Sequence, residues 1–91
     1  MQVQDAPVIL PIIHLNGDRP ETLVAELSTA YHALIAALAA LQQCAPNARN
    51  YYPQDGLYVQ ACAQHQARVD AITAVRASLV AEAQGIQALT Q

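Results

Sequence analysis

The segment from Ala30 to Leu41, which reads AYHALIAALAAL, constrains the fold more than any other part of this chain. In a helix it is apolar around nearly its whole circumference, with only Tyr31 and His32 as polar interruptions. A helix of this kind has to be buried on more than one side. One partner helix from a chain of 91 residues covers a single face. We therefore expect the other face to be buried against further copies of the chain, as in a homo-oligomer.

Chain length and composition indicate a single small helical domain. A chain of this size buries only roughly 60 to 65% of its unfolded surface, which leaves it marginally stable alone. Nineteen alanines, with no tryptophan and no phenylalanine, are typical of closely packed helices. We predict an all-α fold: an antiparallel two-helix hairpin preceded by an extended N-terminal arm and assembled as a homo-oligomeric helical bundle.

The charge balance excludes one class of partner. The chain has no lysine, and its four arginines are outnumbered by seven carboxylates, for a net charge of −3. Binding a polymeric nucleic acid through its phosphates requires many distributed cations. A few arginines suffice to hold one small anion, because the guanidinium group binds a phosphate in a bidentate way. We expect a small anionic ligand and no DNA or RNA.

Cysteine content and hydropathy point to the cytoplasm. Cys44 and Cys62 are too few for a disulfide framework, which favours a reducing compartment. The longest uninterrupted apolar run, Ala33 to Leu41, is nine residues, against the roughly 20 that span a bilayer. The first residues, MQVQDAP, lack the basic region of a secretion signal. We predict a soluble cytoplasmic protein with no membrane partner.

We divide the chain, residues 1–91, into a single domain of four parts: an extended arm and turn (1–17), a first helix (18–43), a loop (44–56) and a second helix (57–89). Pro7 and Pro11 make a central strand improbable and leave an extended arm or an edge strand. An arm as apolar as VILPIIHL is expected to pack across the helices of its own chain or of a neighbour. Asn16-Gly17 then turns the chain.

The first helix has a recognisable start and two apolar faces. Asp18 precedes Glu21 by three residues, as in a capping box, although Arg19 is itself a candidate cap because it precedes Pro20. A seam with spacings of three and four, typical of coiled coils, comprises Val24, Leu27, Tyr31, Leu34, Leu38 and Leu41. A second contact face comprises Leu23, Ala30, Ile35 and Ala37.

The second helix carries a seven-residue repeat. Its members are Tyr58, His65, Ile72, Leu79 and Ile86, with Val69 and Val75 beside them. This pattern predicts an amphipathic helix that pairs with the first. Gly85, near its end, is expected to fray or kink the last turn.

Two groups of residues next to the helices are candidate anion sites. Asn16, Gly17 and Arg19 lie where the first helix begins, and helix N-termini attract anions; the alternative is an ordinary turn with a capping box. Asn47-Ala48-Arg49-Asn50-Tyr51-Tyr52-Pro53 combines tyrosines that stack on nucleobases with an arginine that holds phosphate. Here the alternative is that the tyrosines seal the end of the hairpin while Arg49 caps the first helix.

His65 and Arg68 are the third candidate, because residues three apart share a helix face. The alternative is a buried polar cluster with Asp70 in the seam, or a structural histidine at a heptad core position. Cys62 and His65 also have helical spacing, with Cys44 and His32 as possible neighbours, but no second pair has zinc-site spacing. We predict no metal, no cofactor and no catalytic residue, because no nucleophile has an orienting partner at a recognisable spacing.

Three of these segments resemble a family of small proteins found in tailed phages and prophages. The resemblance covers most of residues 12 to 76, in Ile13-His14-Leu15-Asn16-Gly17, in the loop Ala45 to Pro53, and in the H-x-x-R of His65 and Arg68. The family pattern has a hydroxyl residue in place of Asp18 and an aspartate in place of Asn50. Either difference changes the charge that an anionic ligand would meet.

In architecture this family is similar to small helical phage proteins that sequester cyclic nucleotide signals of bacterial immunity between subunits, without cleaving them. The resemblance implies a non-enzymatic nucleotide sponge (anti-defence protein) in the host cytoplasm. The ligand-binding residues would be Asn16, Gly17, Arg19, Arg49, Asn50, Tyr51, Tyr52, His65 and Arg68. The alternative is a protein–protein interaction module or assembly accessory with no small-molecule ligand.

Overall fold

The computed structural model describes residues 7–90 and is a helical hairpin. Its elements are α1 (Pro20–Gln43), a single 3₁₀ turn (Ala48–Asn50) and α2 (Leu57–Leu89). No strand occurs among these residues. The all-helical class and the two-helix hairpin are thus confirmed; the part of the predicted arm that covers residues 1–6 lies outside the described residues.

The two helices run antiparallel. The guanidinium carbon of Arg76 lies 5.4 Å from the centre of the Tyr31 ring, in the middle of both helices. Pro20, at the start of α1, lines the same hollow as Gln87, near the end of α2. The N-terminus of α1 therefore lies beside the C-terminus of α2, and the loop lies at the opposite end of the molecule.

The start of α1 differs from the sequence prediction. The helix begins at Pro20 rather than at residue 18, and its N-cap is Arg19, in the extended region at φ −69° and ψ 144°. Proline disfavours the α conformation in the residue before it, which explains why the helix cannot start earlier. The prediction of a capping box is wrong, because no side chain forms a capping hydrogen bond at the start of this helix. Glu21 instead lies 3.7 Å from the Arg19 guanidinium group, an exposed pair that contributes little stability.

Only one face of α1 is covered. Every member of the predicted seam is half-buried: Val24, Leu27, Tyr31, Leu34, Leu38 and Leu41. In the second predicted face, Leu23 is half-buried, but Ala30, Ile35 and Ala37 are exposed, with Ile35 at 39%. No residue of α1 is fully buried. The hairpin thus pairs α1 along its seam and leaves its other apolar face in contact with solvent.

The end of α2 is shaped by the N-terminal segment (residues 7–15). α2 continues through Gly85 to Leu89, so the helix does not fray at Gly85 as predicted. A Cβ atom at Gly85 would lie 2.7 Å from Leu10 Cδ2, which shows that the Leu10 side chain lies directly on this glycine. Ile86, beside it, is completely buried. Two other residues of the pattern predicted for α2 are about 40% exposed: Tyr58 of the seven-residue repeat and Val75 beside it.

The chain buries little surface. Among residues 7–90, only Ala74 and Ile86 are buried apolar residues. The radius of gyration is 18.2 Å, against about 12 Å for a compact chain of this length. The accessible surface is 6871 Å², whereas size scaling gives about 5,100 Å² for a monomer of 9.7 kDa. The isolated chain exposes more surface than a stable monomer of its size.

α1 also has the composition of a membrane span. An 18-residue window within Pro20–Gln43 has a mean hydropathy of 1.5, sufficient by length and composition to cross a bilayer. The nine-residue uninterrupted run therefore does not by itself exclude a membrane span, because alanines and leucines on both sides raise the mean hydropathy across Tyr31 and His32. Core helices of soluble proteins meet the same criterion, so composition does not distinguish the two environments.

Candidate functional site

The loop between the helices is held by its own hydrogen bonds. The Asn47 side-chain oxygen accepts a hydrogen bond from the Arg49 N–H at 3.1 Å and starts the 3₁₀ turn. Asn50 N–H and Tyr51 N–H then donate to the carbonyls of Asn47 and Ala48, each at 3.0 Å. An asparagine that caps its own turn fixes the backbone locally. The loop therefore presents the side chains that follow it in a defined arrangement.

The two tyrosines of the loop occupy different environments. Tyr51 is half-buried, and its ring centre lies 6.1 Å from that of Tyr58 in the first turn of α2. Tyr52 is 85% exposed. The structural alternative, that tyrosines seal the end of the hairpin, thus applies to Tyr51, whereas Tyr52 leaves a full aromatic face for a ligand.

Arg49 is free to bind an anion. At the end of α1, Cys44 N–H and Cys44 Sγ both donate to the Leu41 carbonyl, and Ala45 N–H donates to the Gln42 carbonyl. Among residues 7–90 the Arg49 side chain donates to no carbonyl of α1, so the alternative in which Arg49 caps this helix does not form. No carboxylate among residues 7–90 lies within salt-bridge distance of Arg49 or of Arg68, so neither guanidinium group has a carboxylate partner within this part of the chain.

His65 and Arg68 extend along α2 from this end. They lie eight and eleven residues after Leu57, or about 12 and 17 Å along the axis. His65 is half-buried in the seam and Arg68 is exposed. Asp70 accepts a hydrogen bond from Gln66 Nε2 at 2.9 Å, so the buried cluster of His65, Arg68 and Asp70 does not form. Of the two, Arg68 is the side chain that a ligand reaches.

Between the loop and His65, Tyr58 and Cys62 lie one helical turn apart on α2. Hydrogen bonding and electrostatic repulsion from the Cys62 side chain raise the pKa of Tyr58 above its usual value of 10.0. Because the phenol stays protonated at neutral pH, this end of the molecule gains no negative charge from it. Both cysteines are free thiols.

The remaining predicted residues lie at the other end of the hairpin. Gly17 N–H donates to the His14 carbonyl at 3.1 Å and Asn16 N–H to His14 Nδ1 at 3.3 Å, so Asn16-Gly17 forms the predicted turn. The His14 ring lies over Gly17, where a Cβ atom would come within 3.0 Å of Nε2. Arg19, unlike Arg49, has a carboxylate neighbour in Glu21. An anion at this end meets a guanidinium whose charge is already balanced.

A single chain cannot combine the two ends into one site. They are separated by the 24 residues of α1, about 36 Å. The nine predicted residues therefore form a loop-end cluster (Arg49, Asn50, Tyr51, Tyr52, with His65 and Arg68 along α2) and a distant group (Asn16, Gly17, Arg19). Only a second copy of the chain can bring the two groups together.

A groove runs along one flank of the hairpin over the first half of α1, and we call it the flank groove. It consists of two hollows of about 800 and 270 Å³ that share Val24 and Ser28. Its apolar lining comes from both helices: Val24, Leu27 and Tyr31 of α1, and Leu79, Val80 and Ala83 of α2. The seven-residue repeat in the sequence indicates which residues share a helix face. It does not predict that this side of the hairpin stays open to solvent.

A central polar cluster was not expected from the sequence. Arg76 lies over the Tyr31 ring, and its Nε atom is buried with no hydrogen-bond partner within residues 7–90. The His32 and Tyr31 rings pack edge to face, with their centres 5.3 Å apart. His32 Nδ1 donates a hydrogen bond to the Ser28 carbonyl at 2.8 Å. The only indication in the sequence is that Arg76 lies next to the apolar pattern of α2. Identifying its partner requires the register of α1 against α2.

Residues 7–90 contain no group of three or more histidine, cysteine or acidic side chains placed to hold a metal ion. Comparison with protein-family models, with curated proteins and with solved structures found no match to this chain. The resemblance to phage proteins therefore depends on the three sequence motifs, and any functional assignment depends on the geometry of the two ends.

Proposed function

We propose that this protein is a non-enzymatic, homo-oligomeric phage protein that binds a small anionic nucleotide and sequesters it in the host cytoplasm. The observation that carries the proposal is the loop-end cluster, where Arg49, which has no carboxylate partner among residues 7–90, precedes by three residues Tyr52, whose ring is 85% exposed. A nucleotide offers the matching pair of groups, a phosphate for the arginine and a base for the aromatic face.

The loop-end cluster has further support for binding an anion. Arg68, exposed on α2, has no carboxylate neighbour among residues 7–90, so two guanidinium groups at this end are available for phosphate. Tyr51 is held against Tyr58, with the ring centres 6.1 Å apart, and supplies a pre-positioned aromatic side chain at this end of the hairpin. Pre-positioned groups lose less side-chain entropy on binding.

Sequestration fits this arrangement because it requires contacts and no reaction. A protein that lowers the free concentration of a signal needs only a dissociation constant below the signalling concentration and enough copies. In the proposed assembly, Asn16, Gly17 and Arg19 of a neighbouring copy complete the pocket around the loop-end cluster. A site shared in this way exists only in the oligomer.

Calorimetric titration of the purified protein with cyclic dinucleotides and cyclic ADP-ribose derivatives tests the proposal. We expect one class of ligand to bind, and Arg49→Ala or Tyr52→Ala to weaken binding at least about fivefold, since each loses about 1 to 3 kcal/mol of contact. Gln60→Ala, an exposed change near the same end of α2, is the matched control and should bind normally. The ligand should be recovered intact after the complex is denatured.

No binding across the panel would overturn the proposal and favour the alternative function, a protein–protein interaction module. One observation favours that alternative: the N-terminal segment exposes Ile9, Ile12 and Leu15, each at more than 80%. Recovery of a cleaved ligand would instead indicate an enzyme.

A further inference from the structure

The N-terminal segment exposes its apolar side chains with a period of three. Ile9, Ile12 and Leu15 are 88, 83 and 98% exposed, whereas Val8, Pro11 and Ile13 are half-buried. A β-strand alternates every two residues, while a polyproline II helix has three residues per turn. Ile9, Ile12 and Leu15 therefore form one continuous line of branched side chains, which we call the apolar ridge.

The flank groove matches the apolar ridge in length and chemistry. Six residues at about 3.1 Å each give the ridge a length of about 19 Å. The groove extends along α1 from Pro20 to His32, twelve residues at 1.5 Å, or about 18 Å. Its only charged lining residues, Arg19 and Glu21, lie 3.7 Å from each other at one end. Docking the uncharged side chains of the ridge in the groove would therefore bury no unpaired charge.

A chain cannot place its own ridge in its own groove. Leu10 holds the N-terminal segment on α2 at Gly85, whereas Val80 lines the groove. These two positions are about 140° apart around the helix axis, at 3.6 residues per turn. The ridge and the groove thus lie on different sides of the hairpin, so the ridge can enter a flank groove only on another molecule.

We propose that the apolar ridge of one copy docks into the flank groove of a second copy. The exposed area supports this occupant: the chain has about 1,700 Å² more surface than a monomer of its mass, against the roughly 800 Å² that each partner contributes to a standard interface. Because ridge and groove are on different sides, one copy can contact two neighbours, and such a contact generates a ring where the rotation between copies closes and an open helical filament where it does not. This inference does not depend on a nucleotide ligand.

The mass of the assembly, measured by light scattering and native mass spectrometry without ligand, tests the contact. Ile12→Asp places a charge on the ridge and Val80→Asp places one in the groove, and we expect each to abolish the assembled species. Val59→Asp is the matched control, since Val59 is 70% exposed at the other end of α2, and it should leave the mass unchanged. A wild-type monomer, or aspartate variants that assemble normally, would overturn the proposal.

Cross-linking keeps the test valid if the charged variants fail to fold. In a Cys44→Ser/Cys62→Ser background, Ile12→Cys with Val80→Cys should form disulfides between copies and give a ladder of covalent multimers. Ile12→Cys with Val59→Cys should give none. Equal cross-linking in both pairs, or a chain that associates with lipid vesicles as a monomer through α1, would contradict docking of a second copy.

Discussion

The Leu10 side chain lies on Gly85, with Cδ2 2.7 Å and Cδ1 3.0 Å from the position that a Cβ atom would occupy there. The absence of a side chain at Gly85 gives Leu10 this space, and a Cβ atom there would make the end of the Leu10 side chain shift. A left-handed backbone does not explain the glycine, since Gly85 lies within the helix α2 and has no positive φ. The contact anchors the N-terminal segment to its own chain and sets the direction in which the apolar ridge points.

A double-mutant cycle tests this contact. Gly85→Ala favours the helix by about 1 kcal/mol through its higher helix propensity, but it forces the Leu10 side chain away. In the wild-type background we therefore expect this gain in the free energy of unfolding to be cancelled or reversed. In a Leu10→Ala background the same change should stabilise the protein by about 1 kcal/mol. Urea unfolding of the four proteins measures the coupling, expected at 0.5 kcal/mol or more. An identical effect of Gly85→Ala in both backgrounds would show that Leu10 does not pack there.

Arg76 offers a second test. Its Nε atom is buried without an acceptor within residues 7–90, at a cost of about 1 to 3 kcal/mol, while its position over Tyr31 returns about 0.5 to 1 kcal/mol. Arg76→Met keeps the aliphatic stem and should raise the free energy of unfolding by about 1 kcal/mol. Arg68→Met, on the exposed surface, should change it by less than about 0.5 kcal/mol. Clear destabilisation by Arg76→Met would mean that an acceptor reaches Nε in solution.

The two loop tyrosines should separate stability from binding. Tyr51→Ala removes the ring packed on Tyr58 and should lower the free energy of unfolding by about 1 to 2 kcal/mol. Tyr52→Ala, at an 85% exposed site, should change it by no more than about 0.5 kcal/mol and still weaken nucleotide binding. Chemical denaturation and calorimetry on the same samples distinguish the two. Equal loss of stability would place Tyr52 in the packed end of the hairpin.

The Tyr58–Cys62 pair predicts a pH effect in the alkaline range. Because the folded protein holds the phenolic proton more tightly than the unfolded chain does, the contribution of this pair to stability is fully present below pH 10.0 and is lost as the pH rises through the higher pKa of the folded state. In tyrosinate absorbance titrations, one of the four tyrosines should ionise after the others. Cys62→Ala should restore its ordinary pKa, and Tyr58→Phe should remove the late component. A late component that persists in Cys62→Ala would contradict this cause.

Much of the hairpin follows from local pattern. The spacing of Val24, Leu27, Tyr31 and Leu34 predicts the face of α1 that is covered, because side chains three and four residues apart share a face whatever the rest of the chain does. Pro20 and Gly56 mark helix boundaries, since proline restricts the residue before it and the left-handed φ of 79° at Gly56 favours glycine. The length of α1, set by the same pattern, separates Asn16 from Arg49.

The tertiary structure decided which groups meet. The sequence contained Leu10, Gly85, Tyr31 and Arg76 but no indication that they form two contacts, and it did not distinguish the packed Tyr51 from the exposed Tyr52. Periodicity determines which residues share a face of one helix. Contacts between segments distant in the chain depend on the register of the helices and on where the N-terminal segment docks, and both are set by competing packing free energies that no local pattern records.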